Sequence, residues 1–307
     1  MSAVQRPHGL DVRTAILLTL PTMLWAGNAV IGRLIAGQFP PIALNWVRWL
    51  SALAVLLPFV LVRARQRGTW PSASWRVMVP LGLLGVGAYN ALQYLALQTS
   101  TAVNATLIGA SMPAWILGVG AMFFQAKVTA RQWLGAAVSI TGVLCVLAQG
   151  DPARLASFTL VSGDLYMLLA TMSWAFYTWL LRRKRPDLPG LDFLALQIVY
   201  GVILSVPIVG VESALSPITM HWTPTVLAAL AYIAIGPSIV AYVCWDYGVA
   251  RAGATVPVFF VNLTPLFATL FSAAVLGEMP HLYHGVAFML ILAGIVLAMG
   301  KLPSRQS

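Results

Sequence analysis

The chain has 307 residues, of which 60% are hydrophobic and only 8% charged, and its mean hydropathy is +0.85. A soluble domain carries about 25% charged residues, so a water-soluble fold is excluded and a bilayer must absorb this apolar surface. The formal net charge of +10 does not indicate nucleic acid, because the basic residues sit in short loops between apolar runs, where they meet anionic headgroups and set orientation.

Crossing the hydrocarbon core takes about 20 apolar residues. Ten stretches qualify: 14–35, 42–62, 76–97, 102–124, 130–149, 163–183, 191–211, 223–249, 254–276 and 281–300. The fold expected is an all-α integral membrane protein with ten transmembrane helices. The first stretch follows Arg13 and is too long for a signal-peptide core, so no cleavable leader is expected. Cys145 and Cys244 each lie inside an apolar run and read as small packing residues.

The chain repeats itself. Thr22-Met23-Leu24-Trp25-Ala26 returns as Thr171-Met172-Ser173-Trp174-Ala175, and at the same offset of 149 Arg33, Pro40 and Pro58 fall on Arg182, Pro189 and Pro207. Further on, Ala102 to Pro113 aligns with Ala254 to Pro265 at an offset of 152. This divides the chain into a first five-helix repeat (1–149), a linker loop (150–162) and a second five-helix repeat (163–307). Lys and Arg in alternate loops count 15 on one side and 2 on the other, which places both termini in the cytoplasm. Five is odd, so the second repeat must enter from the opposite face. Inverted repeats of this kind are how secondary transporters build one central site that opens to either side in turn. Channels can also be built this way.

With the repeat laid out, the sequence resembles the drug/metabolite transporter superfamily, in its ten-helix EamA-type exporter branch. The likeness rests on Trp25-Ala26-x-Asn28, Pro40, Arg48, Ala96-Leu97, Ala102 to Pro113, and Gly135 with Gly142 in the first copy. In the second it rests on Trp174-Ala175, Pro265, Leu276-Gly277-Glu278, and Gly285 with Gly294. The aromatic-rich spans look most like aromatic amino-acid exporters of the YddG type. The resemblance implies export of amino acids, aromatic ones included, and related metabolites from the cytoplasm across a bacterial-type inner membrane. Another small metabolite or drug is the alternative cargo. The copies differ at two places: Gln125-Ala126 stands where the second has Gly277-Glu278, and Arg48 is matched by Gln197.

The polar residues inside the spans are the candidates for substrate binding. Tyr89, Asn90, Gln93 and Tyr94 share one face of span three, and Tyr242, Trp245 and Asp246 share one face of span eight. Trp25 with Asn28, and Trp174 with Tyr177, occupy corresponding places in spans one and six. Such stripes are costly against lipid. They either line a cavity where rings stack on substrate or hold an ammonium group, or they tie helices together. Asp246 could face a substrate ammonium or a proton, or pair with Arg251; Arg48 could face a carboxylate or pair structurally. Asn104 and Asn262 are amides in spans four and nine that need partners. Pro113 and Pro265 are read as mid-helix bends and gating positions. Gly135-x-x-x-Ser139 and Gly294-x-x-x-Ala298 read as close-packed scaffold. No Walker loop, nucleophile elbow or metal-ligand cluster is visible. The expectation is therefore a non-enzymatic, ATP-independent carrier without metal or cofactor, whose partners are a small-molecule substrate and the bilayer, not nucleic acid, and which works as a monomer.

Overall fold

The computed structural model describes residues 11–35, 37–99, 108–109, 111–148, 150–156, 161–216, 219–276 and 281–299, and the regular structure among them is entirely helical. The helices in chain order are α1 (Val12–Leu34), α2 (Pro41–Arg67), α3 (Trp75–Gly82), α4 (Tyr89–Thr99), α5 (Met112–Phe124), α6 (Ala130–Leu147) and the single turn α7 (Ala153–Ala156). They continue with α8 (Ser162–Lys184), α9 (Gly190–Leu215), α10 (Pro224–Ile233), α11 (Ala241–Ala252), α12 (Thr255–Val261), α13 (Thr264–Leu276) and α14 (Leu282–Met299). Two π-helical segments, Leu83–Ala88 and Ala234–Val240, join α3 to α4 and α10 to α11.

Among the described residues, four helical stretches are long and apolar enough to cross a membrane alone: Val12–Gly32, Pro41–Arg67, Gly190–Leu215 and Pro224–Ala252. Shorter apolar helices occupy Met112–Phe124, Thr255–Ala268 and Gly285–Ala298. Proline marks several starts. Pro41 and Pro224 stand in the first turn of α2 and α10, where the missing N–H costs nothing and the fixed φ suits the helix.

The repeat in the sequence returns as a repeat of elements. α1 and α8 are both 23 residues long, α2 and α9 are 27 and 26, α5 and α13 are both 13, and α6 and α14 are both 18. The two π segments fall at matching places. Packing between the copies is reciprocal: α1 lies on α11 and α13, while its counterpart α8 lies on α4 and α5.

Two counterpart pairs pack along their lengths, and both run antiparallel. Along α2 and α9, Ile42 and Ala43 at the start of one meet Glu212 near the end of the other. Trp46 meets Val202, and Arg67 meets Asp192. Along α6 and α14, the Arg131 Nε donates to the Leu297 carbonyl, Gly135 lies against Gly294 and Ala298, and Gly142 lies against Ala287. A Cβ on Gly135 would come within 2.7 Å of the Gly294 carbonyl oxygen. Only hydrogen lets the two backbones approach this closely.

One expectation is corrected. Pro113 and Pro265 do not bend a continuous helix. Each is the second residue of a new one, α5 and α13. In the second copy, Asn262 and Leu263 form the turn between α12 and α13. The ring forbids the preceding residues from continuing the helix donor ladder, so the chain restarts at the proline instead.

Candidate functional site

Seven aromatic rings from five helices form one connected cluster at the middle of the molecule. Trp25 of α1 and its counterpart Trp174 of α8 meet edge to face with centroids 5.4 Å apart. Trp245 of α11 packs on both, at 5.5 Å from each. Tyr242 touches Trp25, Trp174, Tyr177 and, at 4.9 Å, Trp49 of α2. Tyr89 of α4 stands 5.0 Å from Trp174. Edge and tilted contacts of this kind suit the ring quadrupoles. Trp25 and Tyr89 remain partly exposed, whereas Trp174, Tyr177, Tyr242 and Trp245 are buried.

The π segments hold the cluster in place. A π turn displaces carbonyls from the helical ladder, and buried carbonyls need donors. The Tyr242 hydroxyl donates to the Gly85 carbonyl (2.5 Å), Ser173 Oγ to Leu84, and Asn45 Nδ2 to Val86. In the second copy the Trp25 indole N–H donates to the Pro237 carbonyl at 3.2 Å, and Ser238 Oγ to Ile233. Gly85 must be glycine, since a Cβ there would meet the Tyr177 ring at 2.5 Å.

Two hydrogen-bonded triads flank the rings. In the first copy Arg48 Nη1 of α2 donates to the Tyr94 hydroxyl of α4, which donates to Asn28 Oδ1 of α1, each at 3.3 Å. In the second, Gln197 Nε2 of α9 donates to the Tyr177 hydroxyl of α8 (3.4 Å), which donates to Asp246 Oδ1 of α11 (3.2 Å). At the sequence offsets 149 and 152 these are the same three positions: Arg48 with Gln197, Asn28 with Tyr177, Tyr94 with Asp246. Both triads run from a donor on the second helix through a tyrosine to an acceptor. The tyrosine and the acceptor have exchanged helices between copies.

Both charges in the triads keep an atom unused. Arg48 is 0% exposed and Asp246 is 2% exposed. Arg48 Nε donates to Ser238 Oγ at 2.5 Å and its guanidinium lies 5.1 Å from the Trp49 ring, yet Nη2 has no partner. Asp246 Oδ2 has none either, nor do the indole N–H groups of Trp49, Trp174 and Trp245. A buried charge left unpaired is costly, so these atoms describe an interior built to receive something polar.

The candidates named from the sequence divide as follows. Trp25, Asn28, Tyr89, Tyr94, Trp174, Tyr177, Tyr242, Trp245 and Asp246 converge on the cluster and its triads. Asn90 is buried beside the Tyr242 hydroxyl, and Gln93 is half-buried one turn on. Asn262 lies elsewhere and donates from Nδ2 to Ser139 Oγ of α6 at 2.7 Å. Asn104 falls outside the described residues. Arg251 gives its Nε to Tyr247 and not to Asp246. Trp49, Ser238 and Gln197 join the site without having been singled out for it; the mismatch of Arg48 with Gln197 was the signal available.

A helical membrane protein with a buried aromatic and polar centre is a carrier's architecture. The chain belongs to the EamA-like transporter family, whose match covers residues 12–148 and 161–300, one block per copy. It is a membrane transporter, not an enzyme. It is 28% identical to an uncharacterised transporter of Archaeoglobus fulgidus over 294 residues, covering 95% of this chain and 99% of that protein. It is 25% identical to a probable terminal-alkyne amino-acid exporter of Streptantibioticus cattleyicolor over 220 residues, 70% of each chain. A solved crystal structure matches with a TM-score of 0.72 over 96% of this chain and 99% of that one; at 21% identity this shows the shared fold.

Proposed function

We propose that the protein is a secondary transporter that exports amino acids, aromatic ones included, by alternating access across the plasma membrane. In this reading ten spans form two halves that lie upside down with respect to one another, with both termini in the cytoplasm. The observation that carries it is the meeting of Trp25 with Trp174. Counterpart residues of the two copies touch at 5.4 Å, the contact expected if a pseudo-two-fold axis passes through a central site. The antiparallel pairs α2–α9 and α6–α14 support the same axis. An aromatic wall with free indole N–H groups suits a substrate that has a flat apolar face and polar ends. The amino-acid exporter among its relatives agrees with that cargo.

The test is counterflow in proteoliposomes. Vesicles preloaded with unlabelled amino acid should accumulate radiolabelled phenylalanine transiently, with saturable rates. Flux that rises linearly with concentration and shows no counterflow would make the protein a channel.

A further inference from the structure

Two buried charges of opposite sign lie at the ends of the aromatic cluster and do not meet. Arg48 is held by neutral groups: Ser238, Tyr94 and the Trp49 ring. Asp246 is held by the Tyr177 hydroxyl, and the cation within electrostatic reach of its carboxylate is Arg185, beyond the end of α8. Guanidinium cannot shed its proton in a protein, so Arg48 needs an anion. The bare oxygen of Asp246 needs a donor.

The positions on α11 and its π segment give the spacing. Ser238, which receives Arg48, precedes Asp246 by eight residues, so the two triads meet this helical stretch at different levels, about 12 Å apart along its axis. An α-amino acid held at both ends by charged hydrogen bonds spans roughly 9 Å. That length is of the same order as the axial separation of the two levels.

We infer that the triads are two successive docking stations: Asp246 takes the substrate's ammonium group, and Arg48 takes its carboxylate. This rests on the amino-acid reading above and assigns the residues that enforce it. With Arg251 marking the cytoplasmic end of α11, an exported molecule reaches Asp246 first. It then crosses the rings with its flat side against Trp25 and Trp174, and arrives at Arg48 on the outer side. Each station holds one end of the molecule, so neither becomes a trap. Conduction needs sites weak enough to leave. The divergence between copies follows: a symmetric pair of arginines, or of aspartates, would recognise one end of the molecule twice.

The test uses the full-length protein in proteoliposomes, with phenylalanine counterflow and two competitors. Phenethylamine keeps the ammonium alone and phenylpropionate keeps the carboxylate alone. Asp246→Asn should weaken competition by phenethylamine roughly 10- to 100-fold, the range of a charge-assisted hydrogen bond, and leave phenylpropionate unchanged. Arg48→Gln should do the reverse. Asp246→Glu and Arg48→Lys keep the charges and should restore most of the preference, which serves if the neutral variants fold poorly. Binding of each competitor is also read by quenching of tryptophan fluorescence, since four indoles line the site. Competitor preferences that do not change in any variant, or that change equally for both compounds, overturn the two stations while leaving the transporter reading intact. Competitor binding that follows the charge rule without phenylalanine counterflow sinks amino-acid export alone. If neither competitor binds the unsubstituted protein, both fall.

Discussion

The pair α6–α14 and the cluster around Trp25 and Trp174 are both places where the copies touch, and they are built in opposite ways. In α6–α14 the contact is backbone on backbone. Gly135 and Gly294 bring carbonyls so near that a methyl group would meet them at 2.7 Å. In the central cluster large rings meet at their edges, and polar atoms of Arg48, Asp246 and three tryptophans stay unpaired. Helices in lipid gain little from hydrophobic burial against each other, so close packing of small residues is what holds a scaffold. Buried polar capacity of this kind is completed by water, a ligand or a change of conformation. The first contact is built to stay, the second to be interrupted.

That contrast breaks in a graded series. Trp174→Ala should have the largest effect: truncating a buried tryptophan costs about 3–5 kcal/mol, and flux should fall to background even where folded protein survives. Size-exclusion monodispersity and counterflow separate the two losses. Gly294→Val should come next, at about 1–3 kcal/mol from overpacking. Here the folded yield should drop while the KM of the surviving protein stays at its normal value. A changed KM would mean that α6–α14 is part of the pathway. Glu212→Ala follows. Its two carboxylate oxygens accept from the backbone N–H groups of Ile42 and Ala43 at 2.8 and 2.7 Å, which are orphan donors at the start of α2. Loss of such a cap should cost about 0.5–2 kcal/mol, read as a lower thermal midpoint.

The smallest effect concerns Asp11. The side-chain hydrogen bond with Thr14, followed by the bond from the Thr14 backbone N–H, holds its carboxyl below the usual carboxylate range. A depressed value means that the contribution is present above the unfolded pKa, about 4, and is lost as pH falls through the lower folded value. The protection of amides in the first turn of α1, relative to their intrinsic exchange at each pH, should therefore fall in acid below about pH 4, and Asp11→Ala should remove that step.

Much of this arrangement is legible in residue types. The apolar stretches, the basic loops and the matched Trp25 and Trp174 are visible because they are statements about composition and offset. The triads were half visible. Tyr94, Asn28, Tyr177 and Asp246 stand out as polar residues in apolar spans, but nothing in a sequence tells that Asp246 meets Tyr177 and not Arg251, since that depends on how α8 lies on α11. The π segments were invisible. Leu83 to Ala88 contains no residue type that demands a wide turn; the turn exists because Asn45, Ser173 and Tyr242, from three other helices, satisfy its carbonyls. Pro113 and Pro265 misled for a related reason. A proline in an apolar run reads as a kink until the break before it is seen.

The wide turns also set a common direction. A π segment acts like a single inserted residue, re-aiming everything after it on the helix. Leu83–Ala88 and Ala234–Val240 occupy the same place in both copies although their sequences share little. The shared register means that both copies re-aim the side chains after the wide turn in the same sense, so their differing tyrosines and tryptophans stand on a common frame.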